Sequence, residues 1–310
     1  MGDNLINFYE PILARCYDRS NIAKVNPVIG EPQQYINNNL LRQLGLVGIS
    51  FDFFIDWKNL LFNREVWIKL PYHGTRLPNT ELISLLKNQD RFVNLVKFSK
   101  HNNLSVSAMI FDDYQDWSNS QSFVTNAYWP SDHINKNGLL LNDISINEIK
   151  HRIIKMSGGE IKIGKKGLIY GTSRLECYLS HTDALWPGDV DLLIYSSRDF
   201  SPLAIIEYKK HTNNSKIPFD NQNIKNYYPY PDQRKYDRLI YLSNQLTSRP
   251  IPIYIFYYST NSKETYLLVE SFFINEGRVI SNNITKFNID TANVNGSYIE
   301  IIRSLITQDT

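Results

Sequence analysis

The chain has 310 residues, 42% hydrophobic and 13% aromatic, enough to bury the core of one large domain or two ordinary ones. Thirty-three Lys and Arg against 31 Asp and Glu leave a formal charge of +2, so no global field selects an acidic or basic partner, and any nucleic-acid contact must come from local patches. The two cysteines, Cys16 and Cys177, stand half a chain apart and read as neither a disulfide framework nor a CxxC metal cluster, while apolar runs such as Pro252 to Tyr258 fall far short of the roughly 20 residues of a membrane helix. The opening MGDNLINFYE lacks a basic stretch leading into an apolar one, and Ile6 stands where a myristoylation signal needs Ser or Thr. The expectation is a cytoplasmic protein with reduced thiols and no membrane segment.

The apolar periodicity predicts helices over Leu5 to Asp18 and Gln33 to Leu46, strands over Gly48 to Trp57 and Glu65 to Leu70, a helix from Thr80 to His101 and a strand over Ser105 to Phe111. The stretch Asp113 to Gly138 is rich in Asn, Ser and Asp without a clear period and reads as a loop and domain boundary. Beyond it comes a helix, Ile146 to Met156, with Ser145 and Glu148 at capping-box spacing. Strands over Gly171 to Ser180, Asp189 to Tyr195 and Leu203 to Lys209 are joined by short turns and read as an antiparallel meander. An Asn-rich loop from Thr212 to Pro231 leads to a helix, Asp232 to Leu246, and strands over Ile251 to Tyr258 and Glu264 to Phe273. The first half loosely echoes this order. The expected organisation is an N-terminal α/β domain over 1–138, serving recognition or dimerisation as a homodimer contact, and a second domain over 139–310.

The chemistry concentrates in Pro187-Gly188-Asp189-Val190-Asp191-Leu192-Leu193-Ile194-Tyr195 and Leu203-Ala204-Ile205-Ile206-Glu207-Tyr208-Lys209-Lys210. In a strand, residues i and i+2 share a face, so Glu207 and Lys209 point one way and Ile206 and Tyr208 the other, and Asp189 and Asp191 share a face too. Neighbouring strands would bring a carboxylate from each to one end of the sheet, where two such groups repel unless a cation lies between them. Hard oxygen donors of this kind suit Mg²⁺ or Mn²⁺.

This arrangement resembles the PD-(D/E)XK nuclease superfamily over roughly residues 144–275. The resemblance implies a restriction-endonuclease-like core, a central mixed sheet flanked by helices, and Mg²⁺-dependent hydrolysis of DNA phosphodiesters. It maps the metal ligands onto Asp191, Glu207 and the backbone carbonyl of Tyr208, and the lysine that contacts the attacking water or the phosphate onto Lys209. Gly188 separates Pro187 from Asp189, so the choice of first ligand lies between Asp189 and Asp191; Asp191 is favoured because it abuts the apolar run LLIY. Of the other D/E-x-K triplets, Glu148 falls on a predicted helix and Glu160 has no apolar strand before it, while Asp56, the serious rival, follows the strand GISFDFFI but lacks a separate acidic strand upstream. Glu176 is a candidate third carboxylate, and Lys162, Lys165, Lys166, Lys210, Arg234, Lys235 and Arg238 are candidate contacts to the DNA backbone. Gly159 to Lys166 matches GxxxxGK but places Lys166 where a phosphate loop has Ser or Thr, and the six histidines show no zinc spacing. A non-catalytic nucleic-acid-binding protein on the same sheet is the competing expectation, and a recombination or repair nuclease the other biological setting besides restriction or phage defence.

Overall fold

A computed structural model describes residues 8–19, 31–129, 139–163, 167–212, 215–275 and 278–307. In chain order the elements are β1 (Ala14–Arg15), α1 (Pro32–Tyr35), α2 (Asn38–Arg42), β2 (Leu46–Asp56), β3 (Leu61–Tyr72), α3 (Asn79–Asn88), α4 (Asp90–His101), β4 (Ser105–Asp112), β5 (Phe123–Trp129), β6 (Leu140–Ser145), α5 (Ile146–Met156), β7 (Tyr170–Gly171), α6 (Arg174–Leu179), β8 (Gly188–Ser196), β9 (Pro202–His211), α7 (Gln233–Gln245), β10 (Ile253–Ser259), β11 (Tyr266–Asn275), β12 (Arg278–Asn288) and α8 (Val294–Thr307). Single 3-10 turns lie at Cys16–Asp18, Phe219–Asn221 and Ile224–Asn226. The architecture is mixed α/β, with parallel and antiparallel strands flanked by helices.

Two compact units divide the chain: Met1–Lys24 with Phe51–Asp189, and Val25–Ser50 with Val190–Thr310. The division differs from the expected boundary at 138, because residues 139–189 go with the first unit and residues 25–50 with the second. In the first unit the strand order is β2-β3-β4-β5-β6, with β3 parallel to β4 and the other pairs antiparallel. In the second the order is β8-β9-β10-β11-β12, with β9 parallel to β10 and the other pairs antiparallel. A parallel pair needs a crossover, supplied by α3 and α4 in one unit and by α7 in the other. The two units therefore repeat one order of strands and directions.

In the second unit Ile253–Ser259 is buried along its whole length, as an apolar run at the centre of a covered sheet must be. One face, carrying Leu192, Ile194, Ile206, Tyr254 and Phe256, packs on Leu40 and Leu41 of α2 and on Tyr298, Ile301 and Ile302 of α8. In the first unit Phe54, Trp67, Met109 and Phe111 pack on Ile149 and Ile153 of α5, Leu175 of α6, and Trp186. The capping box predicted at the start of α5 is formed, Ser145 Oγ accepting from Glu148 N and Glu148 Oε2 from Ser145 N.

Several elements depart from the sequence expectation. The expected loop at 113–138 contains β5, a strand between β4 and β6, whose Val124, Thr125, Asn126 and Ala127 are buried; residues 130–138 lie outside the described residues. Within the expected strand over 171–180, Arg174–Leu179 form α6, because Ser173 caps the helix by accepting from Glu176 N at 3.1 Å. The expected helix over 33–46 breaks into α1 and α2 where Asn37 accepts from the backbone of Asn39 and Leu40. Over its described part, the expected helix at 5–18 is instead β1 and a 3-10 turn.

The cysteines also correct the sequence reading: Cys16 and Cys177 are disulfide-bonded, with Cα atoms 5.3 Å apart. Pairing of Ala14 with Gly171 and Arg15 with Tyr170 brings the two together across 161 residues. A Cβ on Gly171 would lie 2.8 Å from Cys177 Sγ and 3.1 Å from Cys16 Sγ, so the close approach requires glycine there. Reduction should lower stability by about 2–4 kcal/mol, since it releases a long closed loop in the unfolded chain. Melting with and without dithiothreitol checks this; coincident curves would show that the crosslink contributes nothing.

Candidate functional site

The apolar runs around Leu192 and Ile205 make β8 and β9 buried strands, and their antiparallel register, with Leu192 against Ile206 and Leu193 against Ile205, carries Asp191 alongside Glu207. Asp191 is oriented by the backbone: its Oδ2 accepts from Tyr208 N at 2.8 Å. Glu207 is 1% exposed, and its Oε2 has no hydrogen-bond partner among the described residues. Its Oε1 lies 2.7 Å from Lys235 Nζ, a charge-assisted contact, and 3.5 Å from Lys209 Nζ. The same Lys235 ammonium is 3.8 Å from Asp191 Oδ1, so one cation lies between the two carboxylates.

The third wall comes from the start of α7, whose buried Tyr236, Leu239 and Leu242 pack it onto the sheet. Asp232, just before the helix, accepts from Lys209 Nζ at 2.7 Å, and the rings of Tyr227 and Tyr236 lie 4.9 and 5.4 Å from that ammonium. The lysine is boxed between an acid and two aromatic faces. Burial, then the charge of Asp232, pushes the Tyr227 hydroxyl up to about 12; burial, then Glu207, raises Tyr236 further, so both remain neutral. Sequence reading placed Lys235 among nucleic-acid contacts and assigned nothing to Asp232. The available signal was local: Asp232 directly precedes, and Lys235 lies in the first turn of, the helix that crosses over from the Glu207 strand.

Glu176 lies elsewhere, whereas Asp189 stands two residues before Asp191 on β8. Glu176, on α6 in the first unit, accepts from Thr172 N and from Thr172 Oγ1 and stands 3.6 Å from Lys69 Nζ. Lys69 is also 3.3 Å from Asp52 Oδ1 and donates to Thr172 Oγ1 at 2.7 Å. Asp189, the last residue of that unit, acts on Asp52 through its charge. Burial raises the Asp52 carboxyl to about 7 against the opposing pull of Lys69. Asp52 faces Trp67 across β2 and β3, with Lys69 two residues on, as Asp191 adjoins Glu207 with Lys209 two residues on. The first unit thus carries an aspartate and a lysine in equivalent positions, but tryptophan where the second has glutamate. Trp67 is wholly buried against Phe54 and Trp186, at ring distances of 4.7 and 5.4 Å.

The predicted basic contacts do not converge into one described patch. Lys162 pairs with Glu160 at 2.9 Å, and Lys210 with Glu31 at 3.6 Å on the face opposite Glu207. Arg234 is exposed and Arg238 half-buried on α7, while Lys165 and Lys166 lie outside the described residues. An open cavity of about 470 Å³ in the first unit, lined by Asn126, Asn142, Asn147, Glu148, His151 and Arg152 among others, includes none of the acid–lysine residues. Among the described residues no three His, Cys, Asp or Glu side chains group at metal-holding spacing, and no helix is long and apolar enough to cross a membrane.

No protein-family model matches the chain, and neither a curated protein nor a solved structure is significantly similar to it.

Proposed function

We propose that the second unit is a metal-dependent DNA endonuclease of the PD-(D/E)XK type, with Asp191 and Glu207 as carboxylate ligands, the Tyr208 carbonyl as the third, and Lys209 as the charge-stabilising lysine. The observation that carries the reading is Glu207: a carboxylate buried to 1% exposure, with Oε1 against the Lys235 ammonium and Oε2 without a hydrogen bond, beside a second carboxylate and a second ammonium. Burying such a group is costly unless a cation compensates it, and its unused oxygen lone pairs are what a hard divalent ion takes. The strand order supports the same reading, with the acid on β8, the Glu-x-Lys on its antiparallel neighbour β9, a helical crossover, and β10 parallel to β9. Trp67 supplies no oxygen ligand, so the first unit is assigned no chemistry here. Its proposed part is recognition or dimer contact.

When bound, Mg²⁺ or Mn²⁺ would polarise a scissile phosphate and lower the pKa of a water. Asp191, fixed by the Tyr208 amide, and Glu207, fixed by burial, would hold the ion. Lys209 is aimed by Asp232 and by the two tyrosine faces, and it would place a positive charge where negative charge develops on the phosphate. Restriction or phage defence is the proposed setting. The test is cleavage of plasmid, linear and branched DNA with Mg²⁺ or Mn²⁺, comparing wild type with Glu207→Ala. Cutting lost in EDTA and in the variant supports the reading. DNA binding that persists without metal, and without any nicking, would instead establish a non-catalytic nucleic-acid-binding protein.

A further inference from the structure

We propose that Lys235 is the resident counter-ion of the Asp191–Glu207 pair and yields its place to the divalent ion, so that metal binding and release of Lys235 from the carboxylates are one event. The inference rests on the metal reading of this site and adds a competitor built into the chain. Lys235 Nζ is 2.7 Å from Glu207 Oε1 and 3.8 Å from Asp191 Oδ1, a point between the two groups from which an ion would reach both. Mg²⁺ takes its oxygens at about 2.1 Å, so an ammonium and a metal ion cannot both occupy that space.

Two carboxylates drawn together need a cation, and Glu207 has no water-exposed alternative. The ammonium brings one charge and leaves Glu207 Oε2 without a hydrogen bond. A divalent ion brings two charges to the same pair. Of the two lysines present, Lys235 is the more exposed: its side chain is 30% exposed, and four methylenes let the ammonium swing outward. Lys209 is 15% exposed and held by Asp232 at 2.7 Å between two tyrosine rings. The consequence is a site that stays charge-balanced without metal, at the expense of metal affinity.

The experiment titrates Mn²⁺ into the full chain by calorimetry and by the electron paramagnetic resonance of free Mn²⁺, for wild type, Lys235→Met and Glu207→Gln. It is paired with melting curves in EDTA and in saturating Mn²⁺. Lys235→Met keeps most of the side-chain length and removes the charge, so it should bind Mn²⁺ about tenfold tighter than wild type. In EDTA it should melt about 2–4 °C lower, with the deficit closing in saturating Mn²⁺. Binding by Lys235→Met where wild type binds undetectably would support the proposal equally. Unchanged or weaker binding by Lys235→Met, with wild-type binding abolished by Glu207→Gln, would overturn the proposal and leave the metal reading standing. No Mn²⁺ binding by either wild type or Lys235→Met would overturn both.

Discussion

Replacing Lys209 with alanine should lower DNA cleavage by about 10²–10³-fold, the scale of losing one charge-stabilising donor in a transition state, without weakening Mn²⁺ binding. The lysine is not a ligand: its ammonium is 3.5 Å from Glu207 Oε1 and is held chiefly by Asp232 at 2.7 Å. Lys210, one residue on, is the internal control. It lies on the opposite face of β9, paired with Glu31 at 3.6 Å beside the Tyr258 ring, so Lys210→Ala should keep the rate within about threefold of wild type. Single-turnover cleavage with saturating enzyme separates the step from DNA affinity, to which one cation contributes modestly. Equal losses in the two variants would show that both lysines only hold DNA and that the Glu-x-Lys assignment fails.

Lys69→Met should destabilise the first unit by about 3–5 kcal/mol, the cost of stripping the counter-ion from a buried acid cluster. Asp52 is 3% exposed, and Lys69 faces both it and Glu176. The signature is pH-dependent. In wild type the Asp52 carboxyl is raised to about 7, so between the ordinary carboxylate range and pH 7 the folded state keeps a proton that the unfolded state has released, and stability falls as pH rises. Above pH 7 Asp52 ionises beside Lys69 and that slope vanishes. Without Lys69 its proton is retained to higher pH, so the variant's deficit should widen above pH 7 by up to about 1.4 kcal/mol per unit for that carboxylate. Denaturant unfolding of both proteins from pH 5 to 9 measures this. A deficit that is constant across the range would show that lost packing, not charge, sets the cost.

The acid–lysine constellation was legible in the sequence because strand geometry is local. An apolar run bounded by turns makes a strand, and the period of two puts Glu207 and Lys209 on one face whatever the rest of the chain does. The same local logic found β2, β4 and α5 with its capping box. Where a short-range hydrogen bond competed with periodicity, the reading went astray: Ser173 turned an apparent strand into α6, and Asn37 split one helix into two. Neither needed tertiary structure in principle, only more weight on side-chain caps than on apolar spacing.

Other features depend on contacts between residues far apart in sequence, which no local pattern encodes. β5 looks like a polar loop because Thr125 and Asn126 interrupt it, yet pairing with β4 on one side and β6 on the other satisfies its backbone. The disulfide needs β1 beside β7, and Lys235 meets Glu207 only because the crossover helix returns over the sheet. The amino-acid sequence by itself determined which strands could carry carboxylates and which way those carboxylates face. The tertiary structure alone decided that an ammonium would lie between them, and that the equivalent place in the first unit would be filled by Trp67, because charge balance and packing in a buried site are set by all the neighbours at once.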